Sequence, residues 1–218
     1  GYAMTPPPVK VLAMEHDIPV YQPKTLRTPE AAQQIREMQP DCIVVVAYGK
    51  ILPKEILEIP PYGCINVHAS LLPKYRGAAP IQWAVLNGEK ETGVTTMYMA
   101  EGLDTGDMLL KSHTEIGPEE TAGELHDRLS KMGAELIVET LKEVEAGTVR
   151  RKPQGDAETS YASMLTKELG KIDWGRPAGE LHNLGRGLSP WPVAETVYNK
   201  KRLKIHRAKV IPGFGGAP

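Results

Sequence analysis

The stretch Cys42-Ile43-Val44-Val45-Val46-Ala47 decides the fold, because it is a continuous run of apolar, mostly β-branched residues. A run of this kind predicts a strand that is buried on both faces, as in a parallel sheet. A second strand, Cys64-Ile65-Asn66-Val67, follows a short helical turn near Glu55. A helix predicted over 28–38 precedes the first strand, so helices and strands alternate along this part of the chain. The alternation is typical of an α/β domain.

Two helix starts are marked by capping sequences. Thr28-Pro29-Glu30 offers a capping hydroxyl, a proline at the first helical position and an acid facing the helix dipole. Thr121-Ala122-Gly123-Glu124 matches the capping box, and an apolar stripe of helical spacing continues from there to Gly147. The other elements predicted in this part of the chain are a helix over 79–86 and strands over 93–99 and 107–116.

The composition changes after Val149. Residues 150–160 have no apolar periodicity, which predicts a linker. A small helix is expected over 178–188, followed by the Pro190-Trp191-Pro192 corner. Strands over 194–198 and 202–210, joined by Asn199-Lys200-Lys201, then predict a hairpin. Because a lone hairpin is marginally stable in water, we expect it to belong to a larger second domain.

Length and composition exclude several classes of protein. The chain has 218 residues, 41% hydrophobic and 24% charged, with a formal net charge of −1, which is the composition of a folded globular protein. No apolar run approaches the roughly 20 residues that a membrane-spanning helix needs. Cys42 and Cys64 lie in apolar runs and are expected to be buried, reduced thiols. These features predict a cytoplasmic protein with no membrane partner.

The chemically useful side chains lie where the predicted strands end. In an open parallel sheet, ligands bind beyond the carboxyl ends of the strands. Asn66 and His68 are two residues apart on one strand, so their side chains point to the same face. The loop Glu101–Asp107 holds Asp104 between Gly102 and Gly106, which we expect to allow tight turning and close approach of the backbone to a flat ligand. An amide, an imidazole and a carboxylate form a plausible acyl-transfer set, able to stabilise an oxyanion and move protons.

Other interpretations of these residues have weaker support. His68, Ser70 and Asp104 include the residue types of a serine hydrolase triad, but Ser70 has no glycine beside it to form a nucleophile elbow. No Cys or His pair has metal-ligand spacing, so we expect no metal. Neither common phosphate-binding glycine loop is present. The histidines at 113, 126, 182 and 206 are expected to be structural or solvent-facing.

The string Ile65-Asn-Val-His-Ala-Ser-Leu-Leu-Pro-Lys-Tyr-Arg-Gly-Ala-Ala-Pro-Ile-Gln-Trp83 is too specific to be chance. With Glu101-Gly-Leu-Asp-Thr-Gly-Asp-Met108, it resembles the signature of the 10-formyltetrahydrofolate-dependent formyltransferases. Thr5-Pro-Pro-Pro-Val-Lys-Val-Leu12, Tyr161-Ala-Ser-Met-Leu-Thr-Lys with Ile172-Asp-Trp174, and Pro190-Trp-Pro192 are similar to the branch that formylates methionyl initiator tRNA. The resemblance covers nearly the whole chain.

The resemblance implies a doubly wound, Rossmann-like formyltransferase core, a linker and a small β-barrel (OB-like) domain. It implies that Asn66, His68 and Asp104 are the catalytic trio. The residues that it assigns to the folate substrate are Tyr48, Gly49, Ile51, Leu52, Ser70, Leu71, Leu72, Pro73, Gly102 and Leu103. Those assigned to the tRNA, with support also from their positive charge, are Arg76, Lys200, Lys201, Arg202 and Lys204. The implied substrates are 10-formyltetrahydrofolate, as formyl donor, and methionyl initiator tRNA, bound by a monomer without a metal.

We therefore expect a catalytic domain over 1–149, a linker region over 150–192 and the start of an incomplete tRNA-binding barrel over 193–218. The family opens with a strand–helix–strand unit and a basic glycine-rich loop, and this sequence is expected to begin after most of that unit. Two alternatives stay open. One is a formyltransferase for a small amine, such as glycinamide ribonucleotide or an amino-sugar nucleotide, or a formyl-folate hydrolase. The other is a folate- or tRNA-binding module without turnover.

Overall fold

The computed structural model describes residues 5–155 and 157–213. Its α-helices are α1 (Pro8–Glu15), α2 (Pro29–Glu37), α3 (Lys54–Leu57), α4 (Pro80–Leu86), α5 (Ala122–Glu145) and α6 (Ala178–Gly187), and a 3₁₀ helix covers Lys167–Gly170. Its strands are β1 (Ile43–Val46), β2 (Cys64–His68), β3 (Arg76–Gly77), β4 (Glu91–Tyr98), β5 (Met108–Glu115), β6 (Tyr161–Ala162), β7 (Ala194–Tyr198) and β8 (Lys201–Ile205). None of the helices in these ranges is both long and apolar enough to cross a membrane.

The central sheet has four strands in the order β1-β2-β4-β5. β1 and β2 are parallel, as predicted, whereas β4 runs antiparallel to β2 and β5 antiparallel to β4, so the sheet is mixed. The prediction that the first strand is buried on both faces was wrong. Val45 is buried, but Val44 is 40% exposed and Val46 is 62% exposed, on the face opposite Val45. β1 is an edge strand of this sheet, and that face of it is only partly covered.

Helix α5 packs on one face of the sheet. Thr121 and Glu124 form the predicted capping box, in which the Thr121 hydroxyl accepts from the Glu124 N–H and the Glu124 carboxylate accepts from the Thr121 N–H. Leu125 and Leu129 of the helix lie in one buried cluster with Val94 of β4. A Cβ on Gly133 would lie 3.1 Å from Cγ1 of Val67, so glycine lets the helix approach the sheet closely. Beside β2 and β4 this face is therefore filled mainly by hydrocarbon, apart from the buried hydroxyl pair of Thr96 and Thr140.

The opposite face is covered by two shorter helices at one end only. Ala32 of α2 and Ile56 of α3 pack with Val45, Leu52 and Cys64 in a second buried cluster. Cys64 begins β2, and further along the same strand this face carries Asn66 and then His68. Irregular segments rather than helices lie over that part of the face, and they bring polar groups to it.

The segment after α5 returns to the core. The backbone N–H and C=O of Lys152 bond to those of Met108, each at 2.9 Å, and β6 pairs with β3 in parallel. Leu184 and Leu188 then pack with Ala79, beside α4. The predicted linker thus lies against the folded core. It is anchored to Met108, directly after the loop that carries Asp104, and to β3.

The hairpin predicted near the end of the chain is present, with different bounds. β8 covers Lys201–Ile205 rather than 202–210. The turn contains two residues, Asn199 and Lys200, both with positive φ, and Lys201 already pairs with Tyr198. Two residues of positive φ match the right-handed twist of the strands that they join, which explains the shorter turn.

Candidate active site

His68 is the last residue of β2, and its side chain is 7% exposed. Its Nε2 lies 2.9 Å from the carbonyl oxygen of Tyr75. Because a carbonyl only accepts hydrogen bonds, Nε2 carries a proton and donates it to Tyr75. The other ring nitrogen, Nδ1, lies 3.7 Å from Oδ2 of Asp104. The Tyr75 contact therefore fixes the ring so that Nδ1 faces the carboxylate, ready to gain or release a proton.

Asp104 comes from the loop between β4 and β5, and its side chain is 13% exposed. Its Oδ2 accepts a hydrogen bond from the N–H of Gly77 at 2.8 Å. The left-handed residue of the loop is Asp104 itself, with φ of 51°, rather than the flanking glycines to which we attributed the tight turn. Gly106 is needed for a different reason, because a Cβ there would overlap the carbonyl oxygen of Tyr98. The loop conformation thus aims the carboxylate at His68.

Asn66 joins this group through the register of the sheet. It precedes His68 by two residues on β2, so both side chains point to one face. Met97 of β4 is directly opposite Asn66, and directly opposite side chains share a face. The Sδ atom of Met97 lies 3.8 Å from Nε2 of Gln154, which in turn donates to the carbonyl oxygen of Asp104. Asn66 and His68 therefore share one face, and Met97, opposite Asn66, is linked to the Asp104 loop through Gln154.

The set has the groups that acyl transfer to an amine requires. The carboxylate faces a ring nitrogen, so it can stabilise a positive imidazolium. The imidazole can accept and donate a proton, and the amide of Asn66 can donate to an oxyanion. No cluster of three or more His, Cys, Asp or Glu side chains suited to a metal occurs within 5–155 and 157–213.

The predicted folate residues fall into two groups by their exposure. Ile51 and Leu103 are 53% and 51% exposed, and Gly49 and Gly102 are also exposed, whereas Tyr48, Leu71 and Pro73 are half-buried. Leu52, Ser70 and Leu72 are buried in the protein. Lys54, at the start of α3 directly after the segment of Ile51 and Leu52, lies 3.8 Å from Glu101 of the Leu103 loop in an exposed ion pair, so the two segments are neighbours.

Ser70 does not have the environment of a nucleophile. It is fully buried, and its hydroxyl donates a 2.7 Å hydrogen bond to the carbonyl oxygen of Lys74. The proton that His68 carries on Nε2 points to Tyr75 rather than to Ser70. These contacts argue against the serine hydrolase interpretation.

Sequence reasoning missed Tyr75, which supports His68. Tyr75 has a left-handed backbone, with φ of 61°, and its N–H donates to the Ser160 hydroxyl at 2.9 Å. Its own hydroxyl donates to Oε1 of Glu89 at 2.7 Å and accepts from Asn87 at 3.1 Å. The group that acts on His68 is a backbone carbonyl, which any residue type carries, so no local pattern could have identified it.

We expect Tyr75→Phe to lower the free energy of unfolding by about 1–3 kcal/mol, because a partly buried hydrogen bond to a carboxylate is lost. Burial, aided by Glu89, raises the pKa of Tyr75 to about 12. The unfolded phenol loses its proton near pH 10, whereas the folded one keeps it, so this group's contribution to stability is complete below pH 10 and is lost toward pH 12. Urea unfolding at pH 8, 10 and 11 should show a shallower alkaline decline for the Phe variant. Parallel declines in the two proteins would contradict the assignment.

The residues predicted to contact tRNA lie in two different environments. Lys200, Lys201, Arg202 and Lys204 are exposed on the hairpin, although Arg202 lies 3.5 Å from Glu195. Arg76 is only 4% exposed, and its Nε donates to Oε1 of Gln154 at 2.9 Å. The hairpin is thus a basic surface, and Arg76 is a buried neighbour of the Asp104 loop.

Comparisons with known proteins identify the family of the chain. A family model described as "Formyl transferase" matches residues 2–141, and one described as "Formyl transferase, C-terminal domain" matches residues 164–218. A Geobacter metallireducens protein named methionyl-tRNA formyltransferase is 58% identical over 215 residues, which are 99% of this chain and 69% of that protein.

Solved structures of sugar N-formyltransferases share the fold. One from a Shewanella species has a TM-score of 0.71 at 21% identity, covering 86% of this chain and 77% of that chain. An N-formyltransferase from Helicobacter canadensis, in complex with folinic acid and dTDP-3-aminofucose, has a TM-score of 0.61 at 27% identity. That match covers 70% of this chain and 56% of the other.

Proposed function

Because the chain belongs to the formyl transferase family, we propose that it transfers a formyl group to the α-amine of methionine esterified to initiator tRNA. The formyl donor in this proposal is 10-formyltetrahydrofolate. The observation that supports the chemistry most strongly is the mostly buried pair of His68 Nδ1 and Asp104 Oδ2, 3.7 Å apart, with Asn66 on the same strand face as His68. The 58% identity to a protein named methionyl-tRNA formyltransferase supports the choice of amine.

The reaction forms one bond and breaks another at the formyl carbon. The amine attacks that carbon, and the carbonyl oxygen becomes a tetrahedral oxyanion. We assign stabilisation of this charge to the amide N–H groups of Asn66 and to the protonated ring of His68. Collapse of the intermediate breaks the bond from carbon to N10 of the folate. The products are the formylated amine and tetrahydrofolate.

Proton movement accompanies these steps, because the attacking amine loses a proton and N10 gains one. His68 is held with its Nε2 proton on Tyr75, so Nδ1 is the nitrogen that exchanges protons in this mechanism. Asp104 stabilises the imidazolium. A water held by Asp104 is the alternative carrier of the proton. Both groups are mostly buried, which strengthens their interaction relative to the same pair in water.

We place the pterin ring between the loops of Ile51 and Leu103. Their side chains are exposed and apolar, and the Lys54–Glu101 ion pair shows that the two segments lie near each other. Flat heterocycles bind in sites of this kind, with apolar walls and a few polar groups. Tyr48, Gly49, Leu71, Pro73 and Gly102 would line the site, whereas the buried Leu52, Ser70 and Leu72 would shape it from within.

We assign the basic hairpin to the tRNA, as part of a small domain that follows the linker region over 150–192. Gln replacements at Lys200, Lys201, Arg202 and Lys204 should weaken tRNA binding. They should also reduce the slope of log Kd against log salt concentration by about one for each lost phosphate contact. The matched control is Lys131→Gln, on an exposed site of α5. A salt dependence equal to that of the unmutated protein would remove the hairpin from the binding surface.

One copy of the chain supplies Asn66, His68 and Asp104, so the proposal requires only a monomer. It also places the enzyme in the cytoplasm, where charged initiator tRNA is used.

A product assay tests the proposal and separates it from its alternatives. The chain is supplied with 10-formyltetrahydrofolate and either methionyl initiator tRNA or a small amine, glycinamide ribonucleotide or an amino-sugar nucleotide. We expect formylmethionine on the tRNA and no formylation of the small amines. Formylated small amine would favour the first alternative, free formate would indicate a hydrolase, and no product would indicate a binding module.

A further inference from the structure

We propose that Gln154, in the segment between the two matched regions, is the positioning residue that holds Asp104 against His68. The expected effect of Gln154 on turnover rests on the proposed function. Its structural part, the control of the Asp104 carboxylate, stands on hydrogen bonds alone.

The side chain of Gln154 contacts the Asp104 loop twice. Its Nε2 donates to the carbonyl oxygen of Asp104 at 2.8 Å and to that of Gly106 at 2.7 Å. Its Oε1 accepts from Nε of Arg76 at 2.9 Å. Carbonyls only accept and a guanidinium only donates, so these partners fix the orientation of the amide. Every polar atom of the side chain is used.

Gln154 is itself held in place. Two residues before it, Lys152 makes the paired backbone hydrogen bonds to Met108, the first residue of β5. Arg76, its side-chain partner, is only 4% exposed and belongs to β3. Gln154 therefore connects two fixed points of the core, and the Asp104 loop lies between them.

The carboxylate of Asp104 depends on this connection. The Asp104 backbone is left-handed, a conformation that non-glycine residues adopt rarely and that must be maintained by its surroundings. The Asp104 and Gly106 carbonyls, on either side of Thr105, both point to the Gln154 amide. The same carboxylate accepts from the Gly77 N–H, next to Arg76. Releasing the loop would move the carboxylate away from both Gly77 and His68.

Two substitutions separate a positioning role from a packing role. Gln154→Glu keeps the size and the acceptor for Arg76 but removes both donated hydrogen bonds. Gln154→Met keeps approximate size without any polar atom. We expect both to lower kcat by about 10- to 100-fold, with KM for the folate changed less than about threefold, because a displacement of about 1 Å costs rate rather than binding. Gln22→Glu is the matched control, since its Oε1 also accepts from a cation, Lys10, at an exposed site.

Hydrogen exchange reports the carboxylate position without turnover. The N–H of Gly77 bonds to Asp104, whereas those of Arg76 and Ala78 bond to the carbonyls of Ser160 and Ala162. In both variants at Gln154 we expect the Gly77 amide to exchange about tenfold faster or more, with the two neighbouring amides unchanged.

Three results would contradict parts of this proposal. Wild-type kcat in Gln154→Glu would overturn the effect on catalysis, and an unchanged Gly77 amide would overturn the positioning role. Equal acceleration of all three amides would also overturn it, since that result describes a general loosening of β3. If the unmutated chain forms no formylmethionine, the proposed function fails, but the Gly77 measurement still decides the role of Gln154.

Discussion

Asp104→Asn is expected to lower kcat for formyl transfer by about 10²- to 10⁴-fold, the usual size of a lost acid–base contribution. The amide keeps the size of the side chain, and its oxygen can still accept from the Gly77 N–H at the position that Oδ2 occupies. What it removes is the negative charge 3.7 Å from Nδ1 of His68. Without that charge, the imidazolium formed during the reaction is no longer stabilised.

Asp107→Asn is the matched control for this prediction. Asp107 is in the same loop, but its carboxylate pairs with Nε of Arg151 at 3.0 Å, and the Arg151 side chain is 61% exposed. Surface pairs of this kind contribute little, so we expect kcat within about threefold of the unmutated value. Steady-state rates of formylmethionine formation measure both variants. Equal losses in the two would show that loop charge in general, rather than Asp104, sets the rate.

Asn66→Ala is expected to lower kcat by about 10²- to 10³-fold, the usual cost of removing one oxyanion donor. Asn66 is half-buried on β2, between Val45 of β1 and Met97 of β4, and the strand hydrogen bonds do not depend on its side chain. We therefore expect the thermal unfolding midpoint to change little. The loss should appear in kcat rather than in KM for either substrate, because the oxyanion exists only in the transition state and intermediate.

Asn66→Asp provides the second half of this test. The carboxylate has the same size but, when ionised, donates no hydrogen bond and repels a developing negative charge. We expect it to be at least as slow as the Ala variant in the same rate assay. Wild-type turnover in either variant would remove Asn66 from the mechanism.

The strands show what a local pattern can and cannot predict. The runs at 42–47 and 64–67 predicted two strands of a parallel sheet, and both are present as a parallel pair. A continuous apolar run does not reveal what lies beyond it, so the exposure of Val44 and Val46 could not be predicted. Strand direction was equally hidden, since β4 and β5 pair antiparallel through contacts that no single segment encodes.

The site also has a part that the sequence predicts and a part that only the folded structure shows. Asn66 and His68 share a face because of their spacing, which is visible in the sequence. The contact between Gln154 and Asp104 joins irregular segments 50 residues apart, and the contact of His68 uses the backbone of Tyr75. Backbone acceptors and distant polar partners leave no periodicity, so Tyr75 and Gln154 emerge only from the folded structure.

Fold likeness alone does not choose the amine that receives the formyl group. The Shewanella sugar N-formyltransferase has the same fold at 21% identity. Catalytic geometry at the sheet can serve several amines, and selection among them depends on loops and on the domain that follows. For this reason the product assay with tRNA and small amines is needed alongside the variants.

The rate of the double variant Asn66→Ala/Asp104→Asn, compared with the rates of the two single variants, shows whether these side chains act on one intermediate. If the amide, imidazole and carboxylate act together on one intermediate, their losses are not additive. We predict that the double variant will be faster, by at least about tenfold, than the product of the two single losses requires. Losses that multiply in full would mean that these side chains act independently, and would contradict a single formyl-transfer centre at the end of β2.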